Sequence, residues 1–164
     1  MATNRPSCGG AAVARETGIP LGELPQKAFD SVEQRDIAMR DFFLGHAVEL
    51  VVDAGYDRIH SMPFLEAFEN RIINVHPSLL PEFAGGMDAI EQALAGGVTR
   101  TGATVHIVTA DLDAGPILLQ EAVPILPGDT VETLRRRVHG AEYRLLPEGI
   151  RMMEARLANR RSLR

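Results

Sequence analysis

Residues 71–83 read RIINVHPSLLPEF, and the first half of this stretch sets the architecture. Ile72, Ile73 and Val75 are apolar and mostly β-branched, so they read as a buried strand. Asn74 and His76 lie two residues apart, and a pleated strand points both to the same side. Pro77 cannot easily continue a ladder, so the strand stops there. Two readings of the polar pair are open at this point. Asn74 closes the strand as a turn residue beside a satisfied core histidine, or the pair marks a site at the strand tip.

Working outward, apolar runs alternate with segments of helical period, the pattern of an α/β domain with a largely parallel sheet. GAAVARET (10–17) reads as a helix closed by Gly18, followed by a short strand around Ile19–Leu24. Ser31 and Gln34 form a capping box that opens a helix to about Leu44. ELVVDAG (49–55) is a strand ending in a Gly turn, and PFLEAFE (63–69) is a short helix. A helix near 88–95, a strand GATVHIVT (102–109) and an extended segment PILLQEAVPIL (116–126) follow, with Pro124 placing the last partly on an edge. Residues 128–157 are helical, with a break or kink expected at Pro147 and Gly149. No repeat or low-complexity linker divides the chain, so it reads as one domain over 1–164 with a frayed basic tail over about 158–164.

Composition bounds the function. The 164 residues are 45% hydrophobic and 24% charged, ordinary for a globular domain. A net charge of −5 argues against nucleic acid as a general partner. The one cysteine excludes an internal disulfide and fits a reducing, cytoplasmic setting. Neither a membrane span nor a signal-peptide pattern is expected. No His has metal-ligand spacing with Cys or carboxylate, so no metal is expected.

In open α/β sheets ligands gather beyond the carboxyl ends of the strands. Asn74 and His76 lie at one such end. Gly55 to Arg58 follow a second, and Asp111 to Pro116 follow a third. An amide, an imidazole, a guanidinium and carboxylates suit acyl transfer, in which donors stabilise an oxyanion and a His–Asp pair moves protons. Ser78 lacks nucleophile-elbow glycines, which weakens a triad reading. Asp111 and Asp113 also fit a plain turn, and His106 a buried strand histidine.

NVHPSLLPEFAGG together with TGATVHIVTADLDAGPILLQ closely resembles the folate-dependent formyltransferases, and within them the branch that formylates glycinamide ribonucleotide. The resemblance runs from about Thr3 to Glu148. It implies a Rossmann-like fold and formyl transfer from 10-formyltetrahydrofolate, used as co-substrate, to the amine of glycinamide ribonucleotide in purine biosynthesis. By motif, it implies that Asn74 and His76 stabilise the tetrahedral oxyanion. It assigns Asp113 to orienting and charging His76 and to relaying the proton. Arg58, Ile59 and the loop Val108, Thr109, Ala110, Asp111 and Asp113 match folate-pocket positions. Gly55 and Glu142 match positions that hold the glycinamide end, and His106 a second family histidine near the site. A folate-binding remnant without catalysis, or a formyltransferase for another small amine, shares the same motifs. Oligomeric state is not legible.

Three departures from the family pattern stand out. TNRPSCGG resembles the end of the family's second strand, so the first βα unit with its phosphate-binding turn is expected to be missing. Two explanations follow: a piece of a longer enzyme, which is preferred, or a short chain that is inactive or completed by another polypeptide. AGGMDAIEQAL (84–94) lacks the His that the family loop often carries there. Asp53, Asp57 and His60 stand where relatives are often apolar, and an Asp in a buried strand must be paired or protonated. Val32 falls where relatives often place an Arg.

Overall fold

A computed structural model describes residues 1–86 and 88–162. Met87, inside the 84–94 segment, and the last two residues of the basic tail lie outside the described residues. Contacts divide the chain into two compact units, Met1–Glu49 with Ile59–Phe68, and Leu50–Arg58 with Glu69–Arg164.

The first unit holds a two-stranded parallel sheet of β1 (Ala2–Thr3) and β2 (Gly22–Glu23). Helix α1 (Gly9–Thr17) ends on Gly18 at φ 71, the left-handed stop expected. Helix α2 (Val32–Gly45) opens on Ser31, whose Oγ accepts from the Gln34 N–H at 3.1 Å. Val32, exposed, is the first residue of that helix. Helix α3 is Met62–Ala67. The buried rings of Phe64 and Phe68 pack at 5.2 Å, and His60 stacks on Phe64 at 4.3 Å. Buried Asp36 holds the Arg35 guanidinium at 2.7 Å and accepts the Ser61 N–H at 2.7 Å, so this buried charge is paired from both sides.

The second unit is a four-stranded sheet in the order β3 (Val51–Asp53), β4 (Ile72–His76), β5 (Arg100–Ile107), β6 (Ile117–Pro124). Pro124 does sit on an edge strand. Helix α4 is Ala89–Ala95, and α5 runs unbroken from Val131 to Ser162. The core lies between α5 and one sheet face, where Ile73, Val105 and Ile107 meet Leu134, Val138, Ala141 and Leu145.

The α/β class is borne out. The parallel character is confined to β1–β2 and β3–β4, while β4–β5 and β5–β6 are antiparallel. Only residues 108–116 join β5 to β6, too short for a crossover, so that pair has to be antiparallel. Two further expectations are corrected. Pro147 lies inside α5 without ending it, and residues 158–162 of the basic tail are helical. No helix among the described residues is long and apolar enough to cross a membrane.

Candidate active site

Strand pairing sets the frame. Asp53 pairs with Asn74, and Asn74 with His106, so the three form a row across β3, β4 and β5. Paired residues share a face. Their apolar neighbours Ile73, Val105 and Ile107 take the other face, against α5. His76, two residues beyond Asn74, pairs with Thr104 in the next row. The period of two that buries the apolar set therefore gathers the polar set opposite it.

The polar row closes into a cluster. His106 is buried, with Nδ1 3.1 Å from its neighbour's carbonyl, Ile107 O. With Nδ1–H donating there, Nε2 is left to accept the Asn74 amide N–H at 3.3 Å. Asp113 reaches both imidazoles, with Oδ2 3.5 Å from His76 Nδ1 and Oδ1 3.6 Å from His106 Nε2. The Gly85 N–H donates to Asp113 Oδ2 at 2.9 Å. His76 Nε2 stands 3.1 Å from the Phe83 carbonyl and donates to it, so both ring nitrogens face oxygens. Burial holds His106 below the usual imidazole range; its bond to Ile107 and the charges of Asp113 and Asp53 pull the other way. The ring is neutral near pH 7, as its acceptor role requires.

Local structure explains why these groups converge. Thr104 Oγ1–H donates to Ser78 O at 2.7 Å and accepts from Leu80 N at 3.1 Å, while Gln120 bonds Leu80 O at 2.9 Å. These bonds stitch the turn after His76 onto β5 and β6. The register of β5 and β6 shifts between Val105 and His106, leaving Leu118 as an extra residue beside the site. A Cβ on Gly115 would lie 1.8 Å from Ile107 O, so only glycine lets the 108–116 loop return so tightly. Asp113 sits in that loop at φ 52, a left-handed conformation Asp tolerates. Phe83 sits at φ 58, which a bulky residue adopts only at a cost of about 1–3 kcal/mol. That conformation presents its carbonyl to His76.

The other expected residues stand outside this cluster. Gly55, at φ 68, turns the chain after β3. Arg58 is exposed and pairs with Asp57 at 3.7 Å, while Ile59 is exposed and belongs to the first unit. Val108 donates its N–H to Ile72 O, and Thr109, Ala110 and Asp111 are exposed on the loop. Glu142 lies on α5 with its carboxylate 3.8 Å from His139 Nε2, and burial pushes its pKa up to about 7. Two contributors were invisible in the residue pattern, the Phe83 carbonyl and the Gly85 N–H, because backbone groups leave no mark in side-chain identity. Asp53 did carry a signal, as a charge in an apolar strand two residues before Gly55.

A family model described as formyl transferase matches residues 1–150. The phosphoribosylglycinamide formyltransferase of Mycobacterium tuberculosis is 43% identical over 139 residues, covering 85% of this chain and 64% of that protein. The human trifunctional purine biosynthetic protein adenosine-3 is 41% identical over 151 residues, covering 92% of this chain and 15% of that one. This chain thus spans less than two thirds of the length of these relatives. Among solved structures, glycinamide ribonucleotide transformylase 1 from Symbiobacterium toebii superposes with a TM-score of 0.89 at 46% identity, covering 93% of this chain and 71% of that one. Phosphoribosylglycinamide formyltransferase from Streptococcus pneumoniae gives 0.88 at 34% identity, covering 93% and 84%. The sheet that carries the polar strand tip therefore has the fold of these solved structures, and the chain belongs to the formyl transferase family.

Proposed function

We propose that this chain transfers the formyl group of 10-formyltetrahydrofolate to the amine of glycinamide ribonucleotide. One observation carries the reading: an amide, two imidazoles and a carboxylate converge at one strand tip in a chain of this family. The donor set fits a formyl carbonyl about to be attacked by an amine, since it offers N–H donors and proton carriers. When bound, the folate supplies the activated formyl group. Arg58 and the 108–113 loop are the positions that would hold it, and Gly55 and Glu142 those for the acceptor.

Asn74 has one amide hydrogen committed to His106, leaving the second for the formyl oxygen. That hydrogen bond strengthens as negative charge develops on the oxygen, so it lowers the barrier rather than merely binding substrate. His76 provides a proton carrier, and a second donor once the formyl oxygen takes the place of the Phe83 carbonyl at its Nε2–H. Asp113 fixes the His76 ring and lies within reach of both imidazoles, which makes the pair a route for the proton that leaves the amine.

The test is a transfer assay with the purified chain, both substrates and mass detection of the formylated product. Stoichiometric formyl glycinamide ribonucleotide is the expected result. Calorimetric binding of a folate analogue without nucleotide binding or turnover would instead make the chain a folate-binding remnant. Turnover with a different amine alone would move the acceptor assignment.

A further inference from the structure

Asp53 lies in the same row as Asn74 and His106, on the β3 side of Asn74. Asp113 approaches from the β5 side, through His106 and His76. The two groups that would hold the formyl oxygen, Asn74 and His76, are therefore bracketed by a carboxylate on each side. Asp53 is half-buried, and its charge is felt at the buried His106 ring, which sets it within the field of the site.

Resting on the formyl-transfer reading above, we propose that Asp53 is a further catalytic residue that receives the acceptor amine as an ammonium ion and takes its proton before attack. An amine of this kind has a pKa near 8, so it arrives mostly cationic at neutral pH and cannot attack until it loses a proton. The steps balance. One ammonium proton passes to the Asp53 carboxylate, and the freed lone pair forms the bond to the formyl carbon. The carbonyl electron pair moves to the oxygen, held by Asn74 and His76, and returns as the bond to the donor nitrogen breaks. The second amine proton crosses through His76 to that donor nitrogen, and the Asp53 proton is released to water. Two carboxylates on opposite sides suit two nitrogens, one attacking and one leaving.

Asp53→Asn tests this, with kcat and KM measured for each substrate between pH 6 and 9. The titratable and charged groups near the position include His106 in its row, His76 and Asp113 beside that row, and Asp57 and Arg58 after β3. At pH 7, kcat/KM for the acceptor is expected to fall about tenfold or more, the scale of one charge-assisted hydrogen bond. The KM for formyl-folate should not move. The acceptor kcat/KM of the variant should climb with pH towards the amine's own pKa, where wild type is flatter, and Asp53→Glu should recover part of the loss. Should Asp53→Asn fail to fold by circular dichroism, Asp53→Ser carries the same readout. An unchanged acceptor kcat/KM and pH profile, in a wild type that turns over, overturns the role of Asp53 alone. Equal losses for both substrates without recovery in Asp53→Glu do the same. A wild type with no transfer activity overturns the formyl-transfer reading and this one together.

Discussion

On the proposed formyl-transfer reading, His106 decides which atom of Asn74 is available for chemistry. Its Nδ1–H is spent on Ile107 O, so Nε2 accepts, and the Asn74 amide nitrogen must turn towards it. Asn74→Asp is nearly isosteric but has no N–H to give, and it sets a carboxylate against the lone pair of Nε2. Both Asn74→Asp and Asn74→Ala are expected to lower kcat by about 10²–10³ with little change in either KM, because the lost donor acts mainly in the transition state. A matched KM rise with kcat retained would mean that Asn74 only binds substrate. Asp113→Asn keeps a residue that tolerates φ 52 but removes the charge facing both imidazoles, and should cost a similar factor. That Asn74 and His76 share a strand face was legible from spacing alone, since i and i+2 point the same way, while reading the pair as a site needed the family resemblance. The partnership with His106 was not, because it depends on antiparallel register between segments 32 residues apart.

Elements were legible where local chemistry defines their ends. Ser31 caps α2, Gly18 closes α1, and Pro124 marks an edge. Strand direction was not, because it follows from connection length and from what each face must bury. Helix α5 shows tertiary packing overriding a local signal. Its buried residues Leu134, Val138, Ala141, Leu145, Gly149 and Met153 recur every three or four positions, straight through Pro147. Pro147 leaves the Tyr143 carbonyl without its helical donor, but Tyr143 is 76% exposed and lies on the solvent side. Burial on both sides of the proline then keeps the helix in one piece. Gly149 lets this helix approach the sheet, because a Cβ there would lie 2.7 Å from Val105 Cγ1. Gly149→Ala is expected to destabilise by about 1–3 kcal/mol through overpacking, despite its better helix propensity. In a Val105→Ala background the same change should be much less costly. Chemical denaturation of the four proteins gives the coupling, and strict additivity would show that the two residues do not meet.

On the scale of the whole molecule, three groups of the second unit tie stability to pH in opposing ways. Paired Asp129 has its pKa lowered first by the Arg137 hydrogen bonds and then by the Leu126 N–H. The unfolded chain then binds the extra proton, so this stabilisation is present above about pH 4 and lost as pH falls below it. Buried His106 has a lowered pKa, so the unfolded chain again binds more protons, and stability rises with pH up to about 6.5. Glu142 runs the other way. Its carboxyl titrates near pH 7 when folded and near 4.5 when not, so the folded chain binds the extra proton and stability falls as pH rises between these values. Glu142 and His106 thus offset each other between about pH 4.5 and 6.5, and the wild-type profile there should be shallow. Glu142→Gln removes only the falling limb. Its unfolding free energy should match wild type near pH 4, climb visibly between pH 5 and 7, and exceed wild type at pH 8 by about 1 kcal/mol after allowance for solvent screening. Asp129→Asn should leave the neutral slope alone and flatten the acid limb below pH 4. Urea titrations followed by far-ultraviolet circular dichroism at pH 3, 4, 5, 6, 7 and 8 measure both. A Glu142→Gln curve parallel to wild type would show that the Glu142 carboxyl is ionised in the folded chain, with the burial ascribed to it relieved by solvent.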